Sequence, residues 1–347
     1  MAEDDDRLKR DELSSRLEEL SPAKQSLLRA GGQGKSPTAL PDLDTPRAGR
    51  DLRDEGLSPA SRVRHVPEDK ISKRSGWSPL VKIQRGSSNN NFICAHSLSG
   101  LVTDYVQLAR HMGADQTFYA LQSRGISVDG EPHTHMETMA AYYLEAVREM
   151  QPEGPYLLGG NSLGGHIAFE MAQQLRAQGS TVALLAIIDT PRFDFKFGGD
   201  GEFDDALYWN WRYGENYCLP LSLEHLQGLD PDGRLDYVVE HLKRGAQRPP
   251  FMKMRNVNPQ RMLRVELGNR KAVYNYQHKP YPGKITLLRA GDPSTQTVVP
   301  HLGWGPLALG GVEIHWVPGD HNTVIEPPNV AAVGRVLREC VDKATRG

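Results

Sequence analysis

The tightest constraint on the fold lies in Tyr156-Leu-Leu-Gly-Gly-Asn-Ser-Leu-Gly-Gly-His166, where an apolar run meets a helical pattern across a single corner. Tyr156–Leu158 reads as the end of a strand. Ile167, Met171 and Leu175 then recur at i, i+4 and i+8, and Gly179 follows as a stop. Turning from strand to helix at one residue strains its backbone, so the residues two positions away must be tiny to avoid a clash. Gly160-Asn161-Ser162-Leu163-Gly164 meets that demand. Ser162 is therefore a candidate nucleophile, with the amides and dipole of a helix N-terminus aimed at it.

Around this corner, short apolar runs alternate with amphipathic stretches from Trp77 onward. Strands are expected at Leu80–Gln84, Asn91–Ala95, Phe118–Leu121, Tyr156–Gly159, Val182–Ile188, Ile285–Arg289 and Val312–Val317. Helices are expected near Thr103–Met112, Met136–Met150, Leu163–Gln178 and Asn329–Val341. Such alternation predicts an α/β fold with right-handed crossovers and a mostly parallel sheet flanked by helices. Residues 193–275 break the rhythm with a charged, aromatic insertion of several helices. An insertion of that length before the last two strands is expected to be a lid. Its Phe193, Phe195, Phe197, Trp209, Trp211, Tyr213 and Tyr217 either line an apolar channel or pack within the lid's own core.

The first 76 residues differ in kind. They hold no Phe, Trp or Tyr and carry 15 basic and 15 acidic side chains. Such a segment buries too little apolar surface to offset the entropy of ordering it. Leu8, Leu13, Leu17 and Leu20, and then Ser21-Pro22 before Leu27-Leu28 and Gly31-Gly32, predict two short helices ahead of an extended linker. The segment reads either as a solvated leader or as a docking element for a partner protein. Over the whole chain, 41 basic residues against 43 acidic ones leave a net charge of −2, which argues against a nucleic-acid partner. No run has the roughly 18 apolar residues of a membrane helix, and MAEDDDRLKR is no secretory signal. Three widely spaced cysteines suggest neither a disulfide framework nor a zinc site. A cytoplasmic location is expected.

A serine hydroxyl attacks only when a base takes its proton, and that base needs an orienting carboxylate. In the α/β-hydrolase arrangement the order is Ser, then Asp or Glu, then His. His321, in Pro318-Gly-Asp-His-Asn322 after the last strand, is the candidate base; His278 reads as structural. Asp189 ends the apolar strand Val182–Ile188, and Asp292 follows Ile285–Arg289; position alone does not separate them. A tetrahedral oxyanion needs two amides. Leu163, after the nucleophile, supplies one, and the loop His96-Ser-Leu-Ser-Gly100 supplies the other, assigned to Leu98. His96 either lines the site or is satisfied within its turn.

These motifs together resemble the thioesterase domains that terminate nonribosomal peptide and polyketide synthases, and the thioesterase domain of animal fatty-acid synthase. The likeness runs from about Ser78 to Val341. It rests on Ser78-Pro-Leu-Val-Lys-Ile-Gln84, Phe92-Ile-Cys-Ala-His96, Tyr119-Ala-Leu-Gln122 with Gly125, and Pro155-Tyr-Leu-Leu-Gly-Gly160. Ser162-Leu-Gly-Gly-His-Ile-Ala-Phe-Glu-Met-Ala172 is its most specific part; Pro280-Tyr-Pro-Gly283 and Gly319-Asp-His321 before Val330-Ala-Ala332 complete it. The resemblance implies an α/β-hydrolase fold and an acid 27 residues beyond the serine, where Asp189 stands. Related stand-alone editing thioesterases place the acid after the later strand, which keeps Asp292 as the alternative.

By the same resemblance, the substrate is an acyl or peptidyl chain on the phosphopantetheine arm of a carrier protein, and no cofactor or metal is bound by this chain. Release by hydrolysis and release by cyclisation both remain open. Two features depart from the family. The chain starts with its own Met and no carrier domain, so a free-standing or separately encoded module is expected. The oxyanion loop has Ser97 and Ser99 where the family more often has a proline and a double glycine. The alternative functions are a carboxylesterase acting on free esters, and a non-catalytic hydrolase-fold protein that binds a synthase.

Overall fold

The structure is a computed structural model that describes residues 77–126, 130–192, 202–245, 249, 252, 257–291 and 300–346. The chain divides into two units, Met1–Lys70 and Ile71–Gly347, and the described residues all belong to the second. The helices and linker expected in residues 1–76 lie outside the described residues, as do Phe193, Phe195, Phe197 and Asp292.

Seven strands form one sheet in the order β1-β3-β2-β4-β5-β6-β7. They are β1 (Leu80–Gln84), β2 (Asn91–Ala95), β3 (Thr117–Leu121), β4 (Tyr156–Asn161), β5 (Val182–Ile188), β6 (Ile285–Ala290) and β7 (Val312–Val317). Only β1 runs antiparallel, against β3; every other pairing is parallel. The flanking helices are α1 (Val106–His111), α2 (Met136–Met150), α3 (Leu163–Ala177) and α8 (Val330–Arg346). A short 3₁₀ turn, Thr103–Tyr105, precedes α1, so the single helix expected over Thr103–Met112 is split. Gly179 ends α3 at φ 80°, and the Ser180 amide reaches back to the Leu175 carbonyl.

The central strands β2 to β6 are buried along most of their length because both faces of the sheet are covered there. Side-chain alternation divides each strand between two cores. Ile93, Leu158, Leu185 and Ile187 pack with α2 and α3 on one face. Phe92, Leu157, Leu184, Ile188 and Leu288 pack with α1 and α8 on the other. Fully burying one such side chain stabilises the fold by about 1.5–3 kcal/mol. Between β5 and β6 come α4 (Asp205–Trp209), a π-helical turn (Asn210–Glu215), α5 (Leu223–Gly228), α6 (Pro231–Arg244) and α7 (Pro259–Tyr274). These helices close around their own cluster, including Tyr208, Trp209, Tyr213, Val238 and Leu263. Among the described residues no helix is long and apolar enough to cross a membrane.

In an open parallel sheet the carboxyl ends of the strands, where the chain leaves the sheet, form the crevice in which ligands bind. Ser162 follows β4, Asp189 follows β5 and His321 follows β7, all at that edge.

Candidate active site

Ser162 sits at φ 54°, ψ −119°, between the last residue of β4 and the first of α3. Only a corner without side chains can hold this geometry. A Cβ added at Gly160 would lie 2.1 Å from the Gly164 carbonyl carbon, and one at Gly164 would lie 2.3 Å from the Ala95 oxygen. Neighbouring strands clamp the corner. The Ser162 amide donates to the Ile188 carbonyl at 3.0 Å, and the Asn161 side-chain amide donates to the same oxygen at 3.2 Å.

Tyr105, fully buried, adds a second clamp that the sequence did not reveal. Its hydroxyl donates to the Ala95 carbonyl at 2.7 Å and accepts from the Asn161 amide at 3.2 Å, tying the end of β2 to the serine corner. Helical spacing marks Tyr105 as a core residue, but it does not tell what the phenol touches.

The three side chains expected to work together form one line. Ser162 Oγ lies 3.1 Å from His321 Nε2, and His321 Nδ1 lies 2.9 Å from Asp189 Oδ2. A carboxylate only accepts, so the imidazole carries its proton on Nδ1 and leaves Nε2 to accept the serine hydroxyl. Asp189 Oδ1 accepts the Ala290 amide at 3.0 Å, and the Asp189 amide donates to Leu288 at 2.8 Å. Both bonds go to β6, and they hold Asp189 at φ 38°, a left-handed conformation that costs a non-glycine residue of order 1 kcal/mol. The line is graded in exposure: the Asp189 side chain is 10% exposed and that of His321 43%. It therefore runs from a buried acid to a solvent-facing base and a half-buried hydroxyl.

The base rests on a capped turn. Asp320 accepts the Asn322 and Thr323 amides and the Thr323 hydroxyl, and that hydroxyl is the main cause holding its carboxyl below the ordinary range. Beneath the acid, Trp304 Nε1 donates to the Thr190 carbonyl at 2.6 Å. His278, expected to be structural, hydrogen-bonds His166 at 2.9 Å and packs edge-on against Trp304. Burial first, and then the nearby His278, push the His166 imidazole well below its ordinary value.

In the loop after β2, His96 is satisfied within its turn rather than lining the site. Its Nδ1 donates to the Ser97 carbonyl at 2.7 Å, its Nε2 accepts the Tyr143 hydroxyl at 2.7 Å, and it is fully buried. Burial pushes its imidazole down to about 4. The amides of Leu98 and Leu163, the two expected oxyanion donors, donate to no other described residue. The aromatic residues of the insertion divide as packing dictates. Trp209 and Tyr213 lie in its core, and Trp211 and Tyr217 pack against it.

The sheet order, the corner after β4 and the loops after β5 and β7 define an α/β-hydrolase fold. Residues 91–198 match the family model described as thioesterase domain. The chain is 26% identical over 303 residues to malpibaldin synthetase of Mortierella alpina, covering 84% of this chain and 5% of that protein. It is 27% identical over 281 residues to a dimodular nonribosomal peptide synthase of Bacillus subtilis, covering 77% of this chain and 11% of that one. The chain thus spans a small fraction of the relatives it matches. Among solved structures, a four-domain nonribosomal peptide synthetase bound to AMP and glycine superposes with a TM-score of 0.61 at 29% identity, over 76% of this chain and 20% of that one. The NocB thioesterase domain, in covalent complex with a fluorophosphonate nocardicin G analogue, shares the fold at 22% identity and a TM-score of 0.53, over 77% of this chain and 99% of that domain. The chain resembles the thioesterase domains of nonribosomal peptide and polyketide synthases.

Proposed function

We propose that this chain is a serine thioesterase that releases an acyl or peptidyl chain from the phosphopantetheine arm of a carrier protein. The observation that carries this reading is the hydrogen-bonded line from Ser162 through His321 to Asp189, at the carboxyl edge of a sheet whose residues 91–198 match the thioesterase model. His321 Nε2 takes the Ser162 proton as Oγ attacks the thioester carbonyl. Asp189 keeps the imidazole in the productive tautomer and balances the imidazolium that forms. The Leu98 and Leu163 amides receive the oxyanion. As the C–S bond breaks, the imidazolium returns its proton to the departing thiolate, leaving an acyl-Ser162 ester and a free thiol. Water, activated by the same histidine, then releases the acid; an internal hydroxyl or amine in its place releases a ring. The α4–α7 insertion serves as the lid over the acyl chain, and the carrier protein brings the arm, so this chain's part is covalent attack by Ser162, positioning and proton transfer.

Intact-mass analysis after mixing the protein with an acyl-loaded carrier protein tests the reading. The expected result is a transient mass increase equal to the acyl group, absent in Ser162→Ala. Faster turnover of free oxygen esters than of the carrier-bound thioester would instead favour a carboxylesterase. No labelling of the wild type by a fluorophosphonate would favour a binding protein.

A further inference from the structure

The loop His96–Gly100 lacks the proline and paired glycines expected at this place, yet the Ser97 and Leu98 carbonyls and the Gly100 amide are all hydrogen-bonded. In a trans peptide the N–H points opposite to the C=O. The Ser97 carbonyl accepts His96 Nδ1 at 2.7 Å and the Gly100 amide at 3.0 Å, so the Leu98 N–H at the other end of that plane is aimed away from both donors. Two side chains from outside the loop hold what remains. The Ser97 and Ser99 hydroxyls, on either side of Leu98, both donate to Asp104 Oδ2, at 3.2 and 3.1 Å. The Ser99 hydroxyl also accepts the Leu101 amide at 3.2 Å, so it bridges carboxylate and backbone. The Leu98 carbonyl accepts Asn269 Nδ2 at 3.0 Å.

Asn269 is fully buried, and its Oδ1 accepts the Ser123 hydroxyl at 3.4 Å. It belongs to α7, in the helical insertion. On the same helix, Val265 packs so closely on the loop that a Cβ at Gly100 would lie 2.7 Å from its side chain. The insertion therefore supplies part of the frame of a loop about 170 residues away in sequence. The start of the loop in turn abuts the serine corner, since a Cβ on Gly164 would meet the Ala95 and His96 oxygens at 2.3 and 2.8 Å.

We propose that Asp104 and Asn269 are positioning residues that hold the Leu98 amide as an oxyanion donor, taking over the rigidity that proline and glycine give elsewhere. This rests on the thioesterase reading above. Asp104 acts through two serine hydroxyls, and Asn269 acts through the carbonyl of the residue whose amide works. Neither touches the reacting atoms. Loss of either anchor frees the loop to tilt the donor away from an oxygen that exists only in the transition state, so kcat falls while KM holds.

The test uses the full chain with a small acyl N-acetylcysteamine thioester as substrate and an acyl trifluoromethyl ketone as tetrahedral-adduct inhibitor. Asp104→Ala and Asn269→Ala are expected to lower kcat about 10- to 100-fold, less than outright loss of an oxyanion donor, with KM nearly unchanged. Ketone affinity should fall in step with kcat. Asp104→Asn, which keeps an acceptor for both hydroxyls, should recover most of the loss, and Ser97→Ala, which removes one arm, should lie between. Thermal unfolding of each variant checks that it is folded at the assay temperature. Unchanged kcat in both alanine variants overturns the proposal, and so does a lowered kcat with unchanged ketone affinity, the mark of a merely structural role. A wild type that neither turns over the thioester nor labels with a fluorophosphonate overturns the thioesterase reading and this proposal together. An active wild type with indifferent Asp104 and Asn269 variants overturns this proposal alone.

Discussion

Asp189 and Glu266, two of the buried carboxylates among the described residues, have surroundings that point them to opposite ends. Asp189, 10% exposed, gives one oxygen to a backbone amide and the other to His321, whose far nitrogen leads to a half-buried hydroxyl. Glu266, in α7 of the insertion, has a side chain only 5% exposed. Its Oε1 accepts the Tyr208 hydroxyl and Arg212 Nε, both at 2.8 Å, and its Oε2 accepts the Tyr213 hydroxyl at 2.9 Å. The Arg212 guanidinium lies over the rings of Tyr213 and Tyr217. A carboxylate saturated by donors that are themselves packed holds structure together. One whose chain of partners opens to solvent can pass charge to a reacting group. Burial alone does not distinguish the two.

The largest expected effect that would break this contrast is at the open end. Ser162→Ala should cut kcat by about 10⁶ without lowering the melting temperature, because removing the nucleophile of such a unit disables all of it. Thioester turnover and thermal unfolding measured on one preparation check this; residual turnover near the wild-type rate would remove Ser162 from the reaction. Next comes Asp189→Asn, expected to lower turnover about 10⁴-fold by allowing the wrong histidine tautomer. An undiminished rate there, with loss on Asp292→Asn, would transfer the acid's role to Asp292.

Glu266→Ala sharpens the comparison from the other side. It leaves the half-buried Arg212 beside two phenols without its counter-charge, and should cost about 3 kcal/mol of stability in urea unfolding, the low end for a broken buried pair because the guanidinium is 26% exposed. Turnover per folded molecule should change little. A large fall in kcat with intact stability would make Glu266 more than cement.

The smallest effect from a single side chain's charge change concerns pH and affects stability alone, and it again follows burial. Unfolded His96 takes up a proton near pH 6.5, whereas the folded residue does so only at about 4. Between those values the unfolded chain binds more protons, so stability falls as pH drops from 6.5 towards 4, by about 3 kcal/mol from His96 alone. His133, pushed down to about 4 chiefly by burial, adds to the same slope. Urea unfolding across this range should show the decline, and His96→Asn should flatten it by that residue's share; an unflattened slope would assign the effect elsewhere.

Much of the frame was legible in the chain. The bounds of β1, β2, β5 and β7 follow the expected runs residue for residue; in β2 and β5 the runs are nearly all apolar because both faces of those central strands are covered, whereas the edge strands β1 and β7 keep Lys82, Glu313 and His315 among their apolar residues. Ser162 was legible because its corner excludes side chains at Gly160 and Gly164, a local demand written in local residues. His321 was legible from its place after the last strand. What stayed hidden were partnerships between distant positions. Tyr105, Trp304 and Asn269 sit in patterns that announce burial or a helix, and nothing in such patterns tells which carbonyl a buried donor will reach.

The amino-acid order by itself determined the alternation of strand and helix, the corner that presents Ser162, and the pair of acids able to serve His321, since these depend on side-chain size and polarity within a few residues. Tertiary structure decided that Asp189 meets the imidazole, that Trp209, Trp211, Tyr213 and Tyr217 pack in or against the insertion's own core, and that one of its helices reaches back to the loop of Leu98. Those outcomes turn on the register of β5 against β6 and on the packing of α7, where segments far apart in the chain come within hydrogen-bonding distance only once the sheet has formed.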